Sequence, residues 1–310
     1  MTEKVLVIGS GAVGAVYAQA LVKAGCRVDF LVRDRQSPNA AMPRTLFRYS
    51  LFGGYREERQ DLETLTRADG HYDQVWLCTP SNALADSWLT GQIAAIDGST
   101  PLIAWTPDIQ DLDILRRFHP GPICQGLIAL ISFQSPLPGE QDPPPGIAYV
   151  PLPGSAVLQD DEHGRKAARW LKTGGMPAGI RKDLAWWEAR TASVNICAMA
   201  ALEQEGWSLT GLRRSPRLGL AVRAGREAAE AGAAYLGVSS GMFRYVPIGL
   251  ILRTIMLVGP KLSPIPLETY LRYHFTKIGS QTRQILDAWI QRCRAHHLPH
   301  ENLIALRQGL

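Results

Sequence analysis

The sequence predicts an α/β chain: a doubly wound, mostly parallel sheet first, then an all-helical C-terminal domain. Three observations carry this. Short apolar runs alternate with helical patterns over the first half. A glycine-rich turn joins the first run to the first helix. From Asp183 the patterns are helical almost to the end. The expected domains are residues 1–182 and 183–310.

"KVLVIG" (Lys4–Gly9) is a nearly continuous apolar run, as expected of a strand covered on both faces. "AVGAVYAQALVKAG" reads as a helix stopped by Gly25. "RVDFLV", "YDQVWLCTP" and "TPLIAWTP" read as further strands, with helical stretches between them that include Ala83–Ile96. Near Pro120 the pattern changes. "PICQGLIALISFQ" and "GIAYVPLPGSAVLQ" are strand-like with no helix between them. Their link, "SPLPGEQDPPPG", reads as a stiff hairpin connection or as a ligand for a proline-binding module. A helix over "DEHGRKAARWLKTGG" and a short strand at Ala178–Arg181 complete the first half. The second half reads as long helices at "LAWWEARTASVNICAMAALEQEG", "RLGLAVRAGREAAEAGAAYLG" and "IGLILRTIMLVG", and a last one from Leu267 into "RCRAHH".

Composition narrows the function classes. The net charge is +5, but the arginines are scattered rather than blocked, so nucleic acid is not the expected partner. Five cysteines lie far apart with no C-x-x-C, which points to reduced thiols in the cytoplasm and against a disulfide framework or zinc site. The N-terminus runs directly into a strand without a signal-peptide pattern. "VPIGLILRTIMLVG", broken by Pro247 and Arg253, is too short to span a bilayer, so it reads as a packed helix and no membrane partner is expected. "HHLPH" (His296, His297, His300) reads as the exposed end of a helix, and no metal site is expected.

"GSGAVG" sets Gly9, Gly11 and Gly14 in G-x-G-x-x-G between a strand and a helix, the Rossmann-type fingerprint of dinucleotide binding. Gly9 permits the turn, Gly11 admits a pyrophosphate and Gly14 packs helix on strand, while Ser10, Ala12 and Val13 supply backbone amides around them. Arg33 follows Gly9 by 24 residues, at the tip of the second strand. A guanidinium there suits the 2′-phosphate of NADP(H). Asp34 is the alternative: in the ribose position it would favour NAD.

With this turn, this arginine and the helical second half, the chain resembles the ketopantoate reductase (2-dehydropantoate 2-reductase) family. The tail "WIQRCRAHHLPHENLIAL" is similar to that family's closing helix and its turn with Pro and Asn, here Pro299 and Asn302. The resemblance covers the full length and is strongest at the two ends. It implies NADPH and a small-molecule substrate held between two domains, and is compatible with a homodimer. The family's catalytic Lys falls at Thr191, and its Asn four residues later at Asn195. Its substrate-holding Glu falls at Gln281 and its Ser at Thr269. The Lys after the third strand falls at Pro80, beside Thr79, and the Asn near the nicotinamide at Thr106.

Both charged groups are therefore replaced, and no lysine occurs between Lys182 and Lys261. Arg190 is a poor proton donor. Plainer readings stand beside these: Asn195 as a satisfied helix residue, Thr269 as a helix cap, and Gln281 as a solvated position. The expected activity is NADPH-dependent reduction of a 2-oxo acid, another ketone or an imine, inefficient on ketopantoate. The alternative is a non-catalytic NADP(H)-binding protein.

Overall fold

In the computed structural model the described residues are 2–34, 41–51, 53–105, 108–277 and 279–310. They divide into two compact units, Met1–Leu184 and Ala185–Leu310.

The first unit is built on an eight-stranded sheet. Its strands are β1 (Lys4–Ile8), β2 (Arg27–Leu31), β5 (Glu63–Leu65), β6 (Gln74–Leu77), β7 (Leu102–Ala104), β8 (Ile123–Ile128), β11 (Ala156–Gln159) and β12 (Ala178–Arg181). The order is β12-β11-β8-β7-β6-β1-β2-β5, and every neighbouring pair is parallel except β8–β11. Helix α1 (Ala12–Lys23) and helix α4 (Glu162–Thr173) cover one face. The strand order reverses at β1, between β2 and β6, and such a reversal opens a crevice at the carboxyl ends of the strands. Val5, Leu6 and Val7 are fully buried, as the unbroken apolar run requires, each burial stabilising by about 1.5–3 kcal/mol.

A second, four-stranded sheet has the order β4-β3-β10-β9, from β3 (Arg44–Tyr49), β4 (Tyr55–Gln60), β9 (Ile131–Ser135) and β10 (Gly146–Val150). Sequence reading missed β3 and β4. Outer strand β4, "YREERQ", is almost wholly exposed and carries charges where apolar alternation would mark a strand. The proline-rich link joins β9 to β10, which pair antiparallel from Gly146↔Ser135 to Val150↔Ile131, so it is the hairpin connection. Each of the two long strand-like stretches is in fact two strands, one in each sheet. α1 is buried against both sheets: Gln60 donates to the Ala15 carbonyl at 2.9 Å, and Tyr17 Oη to the Ser155 carbonyl at 3.1 Å.

The second unit is helical throughout its described elements. α5 (Leu184–Gln204), α6 (Leu209–Arg214) and α7 (Arg217–Tyr235) come first. α8 (Ile248–Leu262), α9 (Leu267–Lys277), α10 (Gly279–Ala295) and α11 (Glu301–Gln308) follow. The last long helix expected from the sequence is described as α9 and α10 on either side of residue 278, which lies outside the described residues. Asn302, of the Pro–Asn turn, lies in the first turn of α11. The Glu227 carboxylate on α7 accepts from its Nδ2 at 2.5 Å and from the Leu303 amide at 2.9 Å. That turn is a helix-docking device. All five cysteines are free. No single helix among the described residues is long and apolar enough to cross a membrane.

Candidate functional site: the glycine turn and the strand ends beside it

The turn after β1 separates three glycines by what each must accommodate. Gly9 has φ +105°, and an added Cβ would lie 2.4 Å from the Cys78 carbonyl oxygen. A Cβ on Gly14 would lie 1.9 Å from the Gly9 carbonyl oxygen. These two are demanded by the fold. Gly11 is different: a Cβ there would meet nothing within 4 Å. The space above it is open, on the side a ligand would use.

Gly11 is the N-cap of α1 and gives no side-chain cap, so the amides of Ala12, Val13 and Gly14 open the helix without a side-chain acceptor. Uncapped amides and the positive helix end together favour an anion. Parallel pairing places Ile8 beside Leu31 of β2 and Leu77 of β6. The chain leaving β2 therefore brings Arg33 to one side of the turn, and that leaving β6 brings Thr79 to the other. Thr79 Oγ1 is buried and has no hydrogen-bond partner, an orphan beside the turn.

Arg33 is 60% exposed and within reach of a ligand. Its guanidinium pairs with Asp86 and lies 5.1 Å from the Trp88 ring centroid. Asp86 has a second task. Its carboxylate caps α2 (Ser87–Ala94), accepting from the Trp88 amide at 2.9 Å and the Leu89 amide at 3.3 Å. Hydrogen bonding to Arg33 leads the effects that hold the Asp86 carboxyl below its ordinary pKa.

Sequence reading missed a second guanidinium. Arg44, at the start of β3, donates through Nη1 to the Ser10 carbonyl at 2.9 Å and lies 4.8 Å from the Phe30 ring centroid. Its Nε and Nη2 are buried without partners. Burial lowers its pKa to about 10, so it stays charged at neutral pH. An arginine opening the apolar stretch "RTLF" was the available signal.

The turn thus fits the pyrophosphate of a nicotinamide dinucleotide: an open approach over Gly11, uncapped amides, an orphaned hydroxyl and an accessible cation. Thr106 lies outside the described residues.

The catalytic positions suggested by the sequence all fall on the helical unit. Thr191 and Asn195, four apart on α5, share a face. The Thr191 hydroxyl is committed to its own helix, donating to the Trp187 carbonyl at 2.7 Å and approaching that of Glu188 at 3.2 Å. Asn195 is exposed, and its amide makes no hydrogen bond among the described residues. Gln281 is only 7% exposed on α10, so it is not the solvated residue its sequence permitted. Thr269 lies inside α9, past the capping position. No hydrogen bond joins Asn195, Gln281 and Thr269 to one another. Arg190 is stacked, 4.5 Å from the Trp187 ring centroid and 5.8 Å from that of Trp186.

Residues 5–139 match the family model "Ketopantoate reductase PanE/ApbA". Among solved structures, a PanE/ApbA family ketopantoate reductase from Ralstonia eutropha is 18% identical with a TM-score of 0.71, covering 98% of this chain and 96% of that one. D-mandelate dehydrogenase with NADH and anilino(oxo)acetate is 16% identical with a TM-score of 0.72, covering 99% and 96%. The dimeric ketopantoate reductase from Staphylococcus aureus is 13% identical with a TM-score of 0.70, covering 98% and 96%. No curated protein sequence matches. At these identities the structural likeness establishes the fold.

Proposed function

We propose that this chain, whose residues 5–139 match the model of the ketopantoate reductase PanE/ApbA family, is a cytoplasmic NADPH-dependent reductase of a small carbonyl or imine compound other than ketopantoate. The observation that carries the cofactor half is the open space over Gly11 flanked by the Arg33 guanidinium. Gly9, Ser10, Gly11, Ala12, Val13 and Gly14 would hold the pyrophosphate, with Thr79 beside it, and Arg33 the 2′-phosphate. Thr106 is the further cofactor position implied by the resemblance.

The reduced nicotinamide supplies a hydride equivalent. The chain must supply orientation and a proton or an opposing charge for the atom that becomes electron-rich. Its groups at the resembling positions are neutral. Thr191 has its hydroxyl proton turned to the Trp187 carbonyl. The Asn195 amide is exposed and able to donate to a substrate. Gln281 offers a buried amide without charge, and Thr269 a hydroxyl. Such a set orients a substrate well and protonates it poorly. It suits an iminium, which already carries its positive charge, or a 2-oxo acid protonated through water. The structures bound to anilino(oxo)acetate and described as dimeric favour a 2-oxo acid within this range, and a homodimer.

The deciding experiment is a fluorescence titration with NADPH and NADH, followed by a panel of 2-oxo acids, ketones and cyclic imines with NADPH consumption followed by absorbance. Tighter NADPH binding with turnover of one class is expected. Failure to bind either cofactor would overturn the reading. Binding without turnover across the panel would favour the non-catalytic alternative.

A further inference from the structure

Helix α8 is apolar over most of its surface, interrupted by Arg253, Thr254 and Lys261. Ile248, Leu252 and Met256 face the core of the helical unit. The opposite side exposes Leu250 (65%) and Leu257, and Ile255 (55%) and Leu262 (70%) stand exposed along the edge of the buried stripe. The short 3-10 turn before it, Gly241–Tyr245, buries no residue and projects Met242 (78%) and Tyr245 (71%). Continuous apolar surface of this kind on a protein marks an interaction site.

Charge indicates what covers it. Between Glu230 and Glu268 the sequence has no acidic residue, and its only charged side chains are Arg244, Arg253 and Lys261. All three are exposed, and among the described residues none forms an ion pair. A second copy brought to this face would add the same three cations and, from this segment, no carboxylate. An anionic surface would satisfy them.

Geometry limits how it binds. At 15 residues α8 is about 22 Å long, short of the roughly 30 Å hydrocarbon core. The chain then turns by 112° into α9. α8 can lie in the plane of an interface and cannot cross it. Tyr and long apolar side chains beside arginine and lysine are the residue types that settle at the headgroup boundary.

We propose that the α8 face, with the Gly241–Tyr245 turn, docks this protein on an anionic lipid surface, against the absence of a membrane partner expected from the sequence. Apolar side chains enter the headgroup boundary while Arg244, Arg253 and Lys261 meet lipid phosphates. The inference does not depend on the reaction proposed above.

The test is co-sedimentation of the full chain with vesicles of phosphatidylcholine alone and of phosphatidylcholine with phosphatidylglycerol. Binding to the anionic vesicles is expected, weakened by salt. A basic residue near such a surface contributes roughly fivefold, so Arg253→Ala/Lys261→Ala should lower the partition coefficient by about 25-fold. Leu250→Glu should lower it by about tenfold or more. Circular dichroism melting confirms that each variant folds, and the charge variant, altered only at solvent-facing positions, decides the matter if Leu250→Glu does not. No binding, equal binding to neutral vesicles, or binding unchanged by the charge variant overturns the proposal. So does a dimer, measured by light scattering, that Leu250→Glu dissociates while vesicles are ignored; the face would then belong to a second copy.

Discussion

Arg44 Nη1 donates to the carbonyl oxygen of Ser10 at 2.9 Å, tying the second sheet to the middle of the glycine turn. The guanidinium is charged and mostly enclosed. It fixes the direction of the Ser10–Gly11 peptide, whose neighbours would receive a pyrophosphate. Arg44→Met should therefore weaken NADPH and NADH alike, by roughly 10- to 150-fold for a charged hydrogen bond. A titration with both cofactors checks this. A loss confined to NADPH would mean that Arg44 reads the 2′-phosphate and does not position the turn.

Gly11 and Gly14 should separate when each is replaced by alanine. Gly11→Ala meets no atom of the protein, so thermal stability should hold while cofactor affinity drops. Gly14→Ala drives a methyl onto the Gly9 carbonyl and should destabilise the fold itself. Melting curves beside cofactor titrations measure both. Full cofactor affinity in a folded Gly11→Ala protein would remove the turn from the binding site.

Arg33 is shared between Asp86 and any phosphate that arrives. Arg33→Ala should erase most of the preference for NADPH, which a charge-assisted pair sets at roughly 10- to 150-fold. Asp86→Asn keeps an acceptable helix cap and removes the competing charge. It should raise the NADPH-to-NADH affinity ratio by up to about fivefold, the range of exposed ion pairs. A ratio that falls in Asp86→Asn would show that the carboxylate holds Arg33 in its binding position.

Ketopantoate should be a poor substrate, with kcat/KM with NADPH below about 10⁴ M⁻¹s⁻¹. The Thr191 hydroxyl is tied to its own helix and the Gln281 amide is uncharged, where an ammonium and a carboxylate are implied by the resemblance. Loss of a general acid costs about 10²–10⁴ in rate. Thr191→Lys should restore part of this. Steady-state kinetics showing no gain in a folded, cofactor-binding variant would unseat Thr191 from the position facing the carbonyl.

His274 lies between Tyr270, 5.5 Å away by ring centroids, and Phe275 at 5.0 Å. Desolvation, with help from Lys277, lowers its pKa to about 4. Above pH 6.5 it is neutral whether folded or unfolded, and stability is full. As pH falls from 6.5 towards 4 the unfolded chain takes a proton that the folded chain refuses, so stability declines by up to about 3 kcal/mol. His274→Gln should flatten this dependence. Denaturant unfolding at pH 7.5 and 5.0 measures it, and an unchanged pH difference in the variant would assign the effect elsewhere.

The sequence made the glycine turn legible because every constraint there is local: strand, turn and helix lie within twenty residues. Ala178–Arg181 was equally plain, bounded by turn residues. The second sheet was not legible, since Leu46 pairs with Ile147 and nothing near either residue records it. The same distance hid the partner of Arg33. The spacing from Gly9 located the guanidinium, but not that Asp86, fifty-three residues later, returns to meet it.

The β3–β10 pairing also bears on how the chain assembles. Those two strands pair in parallel across about a hundred residues of intervening chain, and the glycine turn is steadied from β3. Closing so long a loop is entropically slow, whereas contacts between successive helices form early. The helical unit should thus mature ahead of the nucleotide-binding one, although it is made later in the chain. The grip on the cofactor is then among the last properties the molecule acquires, and the first surrendered when the two sheets part.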